Sequence, residues 1–338
     1  MVYLHHVNPL PEGFVFLGLP LWGIINEFHV GVTIFFVLSG FLIALRYMDK
    51  RINFKKYLWK RFVRIYPLYL IVTILTFIFN GWNSEFSRSL WAIFVLNVTF
   101  LRGLMESVKF SLVAQGWSLT VEEAFYILAP GIFLLIRKYG KIIYLAPAIF
   151  ILIGILLSSI FEGTVVWGGI DFAMNYTFFG RSTEFFIGIY LAYLVKNSSS
   201  RGKFKILTPV TSAIGVLLAT WFLHFLSIYF KNDFGIRSYL GMFINTLVIP
   251  IIAVAPVILS FTLNQGRYKI LESRVLQNLG KSSYIFYLIH IGVVREILGI
   301  WGIPNEILMF IALLSISYLS WRFIEEPLHF KLAKFIGY

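Results

Sequence analysis

The first side chains that could do chemistry are two adjacent histidines, His5 and His6, in the opening stretch MVYLHHVNP. Both side chains are titratable, and only four residues precede them. The chain is so apolar that this segment predicts the outer end of a membrane helix. The pair therefore indicates a candidate site at a membrane surface.

Two arginines end a basic stretch, KRINFKKYLWKRFVRIYP, at residues 50–67. Arg61 and Arg64 are spaced i and i+3, so they share a helix face and could hold phosphate groups through forked hydrogen bonds. The alternative is that these bases only fix topology and anchor the helix at lipid headgroups.

Carboxylates follow in GWSLTVEEAFYILAP at residues 116–130. Thr120 and Glu123 have the spacing of a capping box, which predicts a structural role for Glu123 at the start of a helix. Glu122 has no such explanation. Because a carboxylate inside an apolar helix is costly unless it is paired or functional, Glu122 is a candidate site residue.

Two further polar sets lie within apolar segments. Arg181 and Glu184 stand one turn apart, and the favoured interpretation is a mutual ion pair inside the bundle, with a site role as the alternative. Ser283, Tyr287 and His290 form one polar stripe on the helix predicted at 280–298. His290 is expected to serve as a hydrogen-bonded structural imidazole, with catalysis as the alternative.

Two motifs favour structural interpretations. Ser39 and Gly40 in GVTIFFVLSGFLI are small residues that predict close helix packing. Glu325, Glu326 and the proline that follows them in RFIEEPLHF predict the end of the last helix.

The elements that position these residues follow from composition. Of 338 residues 59% are hydrophobic and 13% are charged, which predicts an all-α polytopic membrane protein. The net charge of +13 does not indicate nucleic-acid binding, because the bases fall in short loops between apolar runs. With no cysteine, disulfides, thiolate metal sites and cysteine nucleophiles are excluded. Nine apolar runs are long enough to span a bilayer, at 28–46, 65–81, 118–136, 142–161, 178–195, 206–226, 240–263, 280–298 and 306–324.

Charge placement predicts the topology. If 89–104 does not cross and the histidine segment ends a further helix, the loops on one side hold 20 Lys and Arg and those on the other side hold five. The positive-inside rule then places the basic loops and the C-terminus in the cytoplasm. The basic loops include 196–205 and 264–281. Residues 89–104 are predicted to be an external half-helix or re-entrant piece buried against protein.

Taken in order, these stretches resemble the acyltransferase-3 family of bacterial integral membrane acyltransferases, which includes polysaccharide O-acetyltransferases. The resemblance spans nearly the whole chain and rests on six segments: HH, GVTIFFVLSGFLI, KRFVRIYP, WSLTVEEAFYILAP, LGKSSYIFYLIH and RFIEEP. It implies one membrane acyltransferase domain over residues 1–338, built as a ten-helix bundle whose first helix is truncated. The family's basic residue eleven positions before His5 would precede Met1, so we expect the coding frame to continue upstream.

The resemblance also implies an activity. An acyl group, commonly acetyl from cytoplasmic acetyl-CoA, passes to a hydroxyl of a surface polysaccharide or lipid-linked sugar at the bacterial inner membrane. No bound cofactor or metal is implied. His5, or His6 beside it, would be the base or acyl carrier, and Glu122 would orient the imidazole. Arg61 and Arg64 would hold the CoA phosphates, and the family's Trp-Ser-Leu-x-x-Glu pattern falls on Trp117, Ser118 and Glu122.

Two alternatives stay open from the sequence. The same intramembrane charges would suit a transporter or flippase that moves a glycan intermediate without covalent chemistry. The truncated first helix would also fit an inactive family member. Dependence on acyl-CoA distinguishes the enzyme from the transporter.

Overall fold

The computed structural model describes residues 1–84, 88–197, 209–232, 234–263, 272–303 and 305–334, without the side chains of 82–84, 263 and 333–334. Over these residues the regular structure is helical, apart from one isolated bridge between Phe16 and Leu19. The predicted all-α class is confirmed. Large parts of the predicted loops 196–205 and 264–281 lie outside the described residues.

Membrane-spanning helices dominate the fold. Within the described ranges, seven helices are long and apolar enough to cross a bilayer: Leu21–Tyr47, Phe54–Gly81, Gly116–Tyr139, Ile142–Ile160, Pro209–Tyr229, Tyr239–Thr262 and Glu306–Leu332. Each contains most or all of a predicted apolar run. The multi-pass membrane bundle predicted from composition is thereby confirmed.

The segment predicted as a span at 280–298 is bent in its middle. The chain forms two helices there, Arg274–Ile289 and Val293–Ile300, which meet at an angle of 81°. Gly292 lies in the break with φ of 86°, a conformation that glycine adopts without steric cost. His290 therefore caps the end of a helix and does not continue a stripe along a straight one.

The segment predicted not to cross forms a short helix, Arg88–Val98, followed by the 3-10 turns Leu101–Leu104 and Glu106–Val108. Eleven residues reach only about 17 Å, well short of the roughly 30 Å hydrocarbon core. Arg102 is fully buried. It fixes the chain that follows this helix by donating to Asn97 Oδ1 at 2.6 Å and to the Val113 carbonyl at 2.9 Å.

The chain divides into two compact units. The first comprises Met1–Arg51 and Leu128–Tyr268, and its centre is the packing of Gly31–Tyr47 against Phe178–Asn197. At this crossing a β-carbon on Gly40 would lie 2.2 Å from the Phe185 carbonyl oxygen. The prediction of close helix packing at Ser39 and Gly40 is confirmed.

The helix Phe178–Asn197 has the length of a spanning helix, at 20 residues. It is not among the seven because Arg181 and Glu184 lower its mean hydropathy. Beside it, the helix Tyr239–Thr262 contains two π-helical turns, Ile244–Val248 and Pro250–Val254. The short helices Val2–Val7 and Ile170–Tyr176 complete the first unit's main elements.

The second unit comprises Ile52–Ile127 and Lys269–Tyr338, and it corrects two predictions. The helix that carries Glu123 begins at Gly116, so Thr120 is inside it and donates to the Gly116 carbonyl; the capping box is wrong. The predicted helix end at Glu325, Glu326 and Pro327 is also wrong. A π-helical turn at Trp321–Glu325 lets a new helical segment start at Glu326, and proline is tolerated in a first turn because its missing N–H has no helical partner there.

Candidate functional site

His5 is held by its first-unit neighbours. Asn8 joins the short helix Val2–Val7 to the next helix by donating to the Trp22 carbonyl at 2.9 Å and to Asn26 Oδ1 at 2.6 Å. This attachment sets His5 Nδ1 2.5 Å from the backbone carbonyl of Asn26. His6, by contrast, is exposed, with its ring centroid 4.8 Å from that of His5.

The bond to Asn26 fixes the chemistry that His5 can do. A carbonyl oxygen only accepts hydrogen bonds, so Nδ1 carries a proton and the neutral ring keeps its lone pair on Nε2. His5 precedes the first spanning helix, and its partial burial lowers its pKa from the ordinary 6.5, with the Asn26 bond opposing that shift. The neutral, base-competent form is therefore favoured.

A carboxylate and a second imidazole lie beside His5. The 3-10 turn Glu27–Val30 carries both, with Glu27 Oε2 3.7 Å from His29 Nδ1. The His29 ring centroid is 5.4 Å from that of His5. Glu27 Oε1 accepts from the backbone N–H of Gly235 at 2.9 Å, which ties this turn to a segment 208 residues away in sequence.

Arg181 and Glu184 form the ion pair that their spacing predicts, at 2.7 Å, with both side chains buried. Arg181 also donates to Thr33 Oγ1 at 2.9 Å, and Thr33 donates to Asn245 Oδ1 at 2.9 Å. Asn245 lies in a π-helical turn, and such turns recur at functional positions in helices. The positive charge of Arg181 acts on His29, so this network borders the histidine cluster.

The second unit holds the predicted arginines and carboxylates. Arg61 is buried, and its guanidinium lies over the Tyr126 ring, 5.7 Å from the centroid. The Tyr126 hydroxyl donates to Glu122 Oε1, one turn earlier on the same helix. Glu123 interacts electrostatically with both Glu122 and Arg61. Arg61 is thus part of a buried cluster and is more than an interfacial anchor.

Arg64 is exposed, and its charge acts on Glu325 and His329 of the last helix. Both arginines act on Tyr126, as expected from a shared helix face. Tyr284 closes the cluster from a third helix by donating to the Ile65 carbonyl at 2.8 Å. The Arg-x-x-Arg pair therefore acts on two carboxylates of the same unit, Arg61 on Glu123 and Arg64 on Glu325, while Glu122 is joined to the cluster through Tyr126.

The remaining candidates meet at the start of the helix Gly116–Tyr139, in the part of it that belongs to the second unit. Ser118 Oγ and the Tyr287 hydroxyl share a hydrogen bond of 2.7 Å, while His290 Nδ1 lies 2.7 Å from the Tyr287 carbonyl. Gln115 donates to the Leu288 carbonyl just before the helix break. Trp117 is only half-buried. These hydrogen bonds at Ser118, Tyr287 and His290 fit a structural role, in which they hold the break between the helices Arg274–Ile289 and Val293–Ile300.

The structure thus divides the predicted site residues between two units. His5, His6, Arg181 and Glu184 lie in the first; Arg61, Arg64, Glu122, Trp117, Ser118, Tyr287 and His290 lie in the second. Sequence reasoning missed Glu27 and His29, although a carboxylate within the apolar stretch NEFHVGV was a usable signal. It also gave Glu123 and Glu325 purely structural roles. Within the described residues no group of three or more His, Cys, Asp or Glu side chains could hold a metal ion.

The described residues form a multi-pass helical bundle that buries imidazoles, carboxylates and arginines, and polar groups buried in this way mark candidate functional sites in membrane proteins. The model of the Acyltransferase domain of the acyltransferase-3 family matches residues 1–322. The chain belongs to this acyltransferase family.

The names of similar proteins agree with this family, although their sequence identity to the chain is low. The chain is 28% identical over 332 residues to the peptidoglycan O-acetyltransferase OatA of Listeria monocytogenes, covering 88% of this chain and 51% of that protein. It is 27% identical over 335 residues to a putative O-acetyltransferase of Staphylococcus aureus strain COL, covering 88% and 52%. A putative acetyltransferase of Acidianus two-tailed virus is 28% identical over 293 residues, covering 84% and 78%. The chain spans about half the length of the two bacterial relatives, and no solved structure matches it.

Proposed function

We propose that the chain transfers an acyl group, acetyl in the first instance, from cytoplasmic acyl-CoA to a hydroxyl of a cell-surface polysaccharide or lipid-linked sugar. The names of its relatives support an O-acetyl product, and one of them names peptidoglycan as the acceptor. In this reaction the thioester C–S bond breaks and an ester C–O bond forms. The hydroxyl proton passes to the enzyme's base and ends on the CoA thiol.

The observation that carries this proposal is the bond between His5 Nδ1 and the Asn26 carbonyl at 2.5 Å. A sugar hydroxyl is too weak an acid to attack a thioester unaided, so it needs a base with an available lone pair. His5 offers Nε2 in the required tautomer, in a ring whose orientation is fixed by a backbone atom. We therefore assign His5 as the base and His6 as its exposed neighbour.

The donor would be bound by the second unit. Arg64 is exposed and can reach a phosphate, whereas Arg61 is buried on Tyr126 near Glu122 and Glu123. Guanidinium groups suit CoA phosphates because they form paired, charge-assisted hydrogen bonds. We propose that Arg64 contacts the phosphates directly and that Arg61 maintains the cluster behind it.

The proposed location is a bacterial inner membrane with the C-terminus in the cytoplasm, supported by the distribution of 20 against five basic residues between the two sets of loops. A reporter fused after Tyr338 that is active only in the cytoplasm should be active. Activity of an export-dependent reporter at that position would reverse the topology.

The activity is tested with the full chain in liposomes, radiolabelled acetyl-CoA and a sugar acceptor. We expect labelled ester in the wild type, and a kcat about 10²- to 10⁴-fold lower in His5→Ala, as for loss of a general base. His224→Ala is the matched control, since His224 is a half-buried first-unit histidine with no part in the proposed chemistry. Sugar translocation without acetyl-CoA turnover would replace this proposal with the transporter. Equal loss of activity in both variants would show that His5 has no special role.

A further inference from the structure

Residues 14–19, FVFLGL, form a loop, here named the apolar loop, between the short helix Val2–Val7 and the first spanning helix. Leu17 at its tip is 86% exposed. Four more apolar side chains of the loop are between 37% and 56% exposed: Phe14, Val15, Phe16 and Leu19. The reaction as proposed uses none of these residues, so their exposure needs another explanation.

The apolar loop has a defined backbone. Phe16 and Leu19 form an antiparallel bridge, in which each N–H donates to the other residue's carbonyl, at 3.0 and 2.9 Å. The two residues between them, Leu17 and Gly18, have φ of 49° and 79°. Positive φ at both central residues is the mark of a type I′ turn, the usual connection of a tight hairpin.

The residue at the tip does not suit a turn in water. Positive φ is unfavourable for a leucine, and Asn or Asp is the usual residue before glycine in a type I′ turn. Either of them would make a water-exposed turn more stable at position 17. An apolar environment for the side chain accounts for Leu17, whereas the backbone conformation disfavours it.

The first spanning helix determines where the apolar loop lies. Leu19 is two residues before Leu21, at which the helix Leu21–Tyr47 begins, so the two can be at most about 7 Å apart. The Trp22 N–H donates to the Phe14 carbonyl at 3.3 Å and holds the loop against this helix end. Tryptophan is enriched at the membrane surface. The loop is therefore continuous with the part of the chain that enters the bilayer.

Two further properties fit contact with lipid. Apolar surroundings require backbone groups to be hydrogen-bonded within the protein, and the reciprocal bonds of Phe16 and Leu19 meet this requirement at the bridge. Residues 8–20 contain one charged side chain, Glu12, which precedes the apolar loop. Attraction of the loop to lipid is then hydrophobic and does not depend on anionic headgroups, which attract basic segments.

We propose that the apolar loop inserts into the lipid leaflet on the side opposite the basic loops, about 5–10 Å deep, as amphipathic elements do at this interface. Its partner is the hydrocarbon of the bilayer. Asn8 ties the short helix Val2–Val7 to the same helix end through its bonds to the Trp22 carbonyl and Asn26 Oδ1. The inserted loop therefore fixes the depth at which His5 is held, whatever group the protein transfers.

The test uses one spin label in the full chain, because the chain contains no cysteine and a single one can be introduced without background. Leu17→Cys and Glu12→Cys are labelled with a nitroxide and placed in phosphatidylcholine nanodiscs, with a single copy in each disc. The label at position 17 should be reached by oxygen, which concentrates in lipid, and should lose its relaxation by a water-soluble nickel complex. The label at position 12, an exposed position, is the matched control and should keep that relaxation.

Two variations sharpen the test. Addition of phosphatidylglycerol should leave the protection of position 17 unchanged, because the apolar loop carries no charge. Leu17→Asp should keep the turn, since Asp-Gly suits a type I′ turn, while its charge opposes insertion. A label at Val15→Cys should be protected with Leu17 in place and should become accessible to the nickel complex in Leu17→Asp. Thermal unfolding checks that each variant is folded, and Val15→Cys gives the same measurement if Leu17→Cys does not fold.

Three results would overturn the proposal. Equal access of the nickel complex to positions 12, 15 and 17 in folded protein would place the apolar loop in water. Protection that persists at position 15 in Leu17→Asp would show that protein, and not lipid, covers the loop. Protection found only when two copies share a disc would assign the loop to a contact between copies.

Discussion

The two polar clusters bury charge inside the same apolar chain in different ways. In the first unit the cation Arg181 is paired with one buried carboxylate, Glu184, and also donates to Thr33. In the second unit Arg61 and Arg64 each act on several side chains, although Arg295 and Arg322 are paired with Glu306 and Glu326. Arg61 lies on the Tyr126 ring and acts on Glu123 of the same helix, and Arg64 acts on Glu325 and His329 of the last helix.

The difference indicates different tasks. A buried ion pair that is hydrogen-bonded to a third helix residue gives a rigid frame for the side chains around it. Charges that are shared among several side chains, with one arginine exposed, can redistribute their interactions when an anion binds. This arrangement suits a phosphate-bearing donor. Substitutions in the two clusters should therefore differ in effect, because the first depends on one ion pair and the second on charges shared among several side chains.

The largest effect is expected from breaking the first unit's pair. Arg181→Met should lower the free energy of unfolding by about 3–5 kcal/mol, because it leaves the Glu184 carboxylate buried without its cation. Replacing both residues, Arg181→Met with Glu184→Leu, should restore most of the loss. Denaturant unfolding in detergent measures both.

The control is Lys196→Met, which breaks a partly exposed first-unit pair with Asp49 at 2.5 Å and should cost no more than about 1 kcal/mol. A double variant as unstable as Arg181→Met alone would show that the pair does not act as a closed unit.

The next effect distinguishes the two arginines of the second unit. Arg64→Ala should raise the KM for acetyl-CoA about 10- to 100-fold with little loss of folding stability, because the side chain is exposed and its contact is with the donor. Arg61→Ala should lower stability as well, since its guanidinium is buried on Tyr126. Transfer assays and unfolding measured on both variants give the comparison. Equal behaviour in both assays would contradict the assigned division of roles.

Glu122 gives a smaller but sharper test. Glu122→Gln keeps an oxygen for the Tyr126 hydroxyl and removes the negative charge. If Glu122 supports the catalytic imidazole, kcat should fall at least about ten-fold with the KM for acetyl-CoA unchanged. If the carboxylate only balances Arg61, the KM for acetyl-CoA should fall and kcat should stay the same. Steady-state kinetics in both substrates separates the two roles.

Local features of the fold were predictable from sequence. The apolar runs gave the spans, small residues gave the contact at Gly40, and i, i+3 spacing gave the pair of Arg181 and Glu184. Each of these depends on residues within a few turns of one another, or on the general demand of lipid for apolar surface.

Features set by distant neighbours were not predictable. Thr120 and Glu123 have the spacing of a cap, but the helix starts four residues earlier, at Gly116. Pro327 follows a π-helical turn that no periodicity indicates. The role of Glu27 depends on the backbone N–H of Gly235, and a β-carbon at Gly235 would lie 2.2 Å from the Leu223 carbonyl oxygen, so this approach also depends on a third helix.

The smallest expected effect concerns the pH dependence of the first cluster. Burial lowers the pKa of His5 below its ordinary 6.5, and the base must be neutral to accept a proton. The active form therefore predominates above the lowered pKa and is lost only as the pH falls through it. At pH 6.5 more than half of the maximal kcat/KM should remain, a loss of less than two-fold, with the acid limb centred at lower pH. The measurement is a pH profile of labelled ester formation from pH 5 to 8, with the acceptor well below its KM.

His6→Gln should leave this acid limb of the pH profile in place, because His6 is exposed and His5 is the ring held by Asn26. If the limb disappears in His6→Gln, or is centred above 6.5 in the wild type, the base is not the buried imidazole of the first unit.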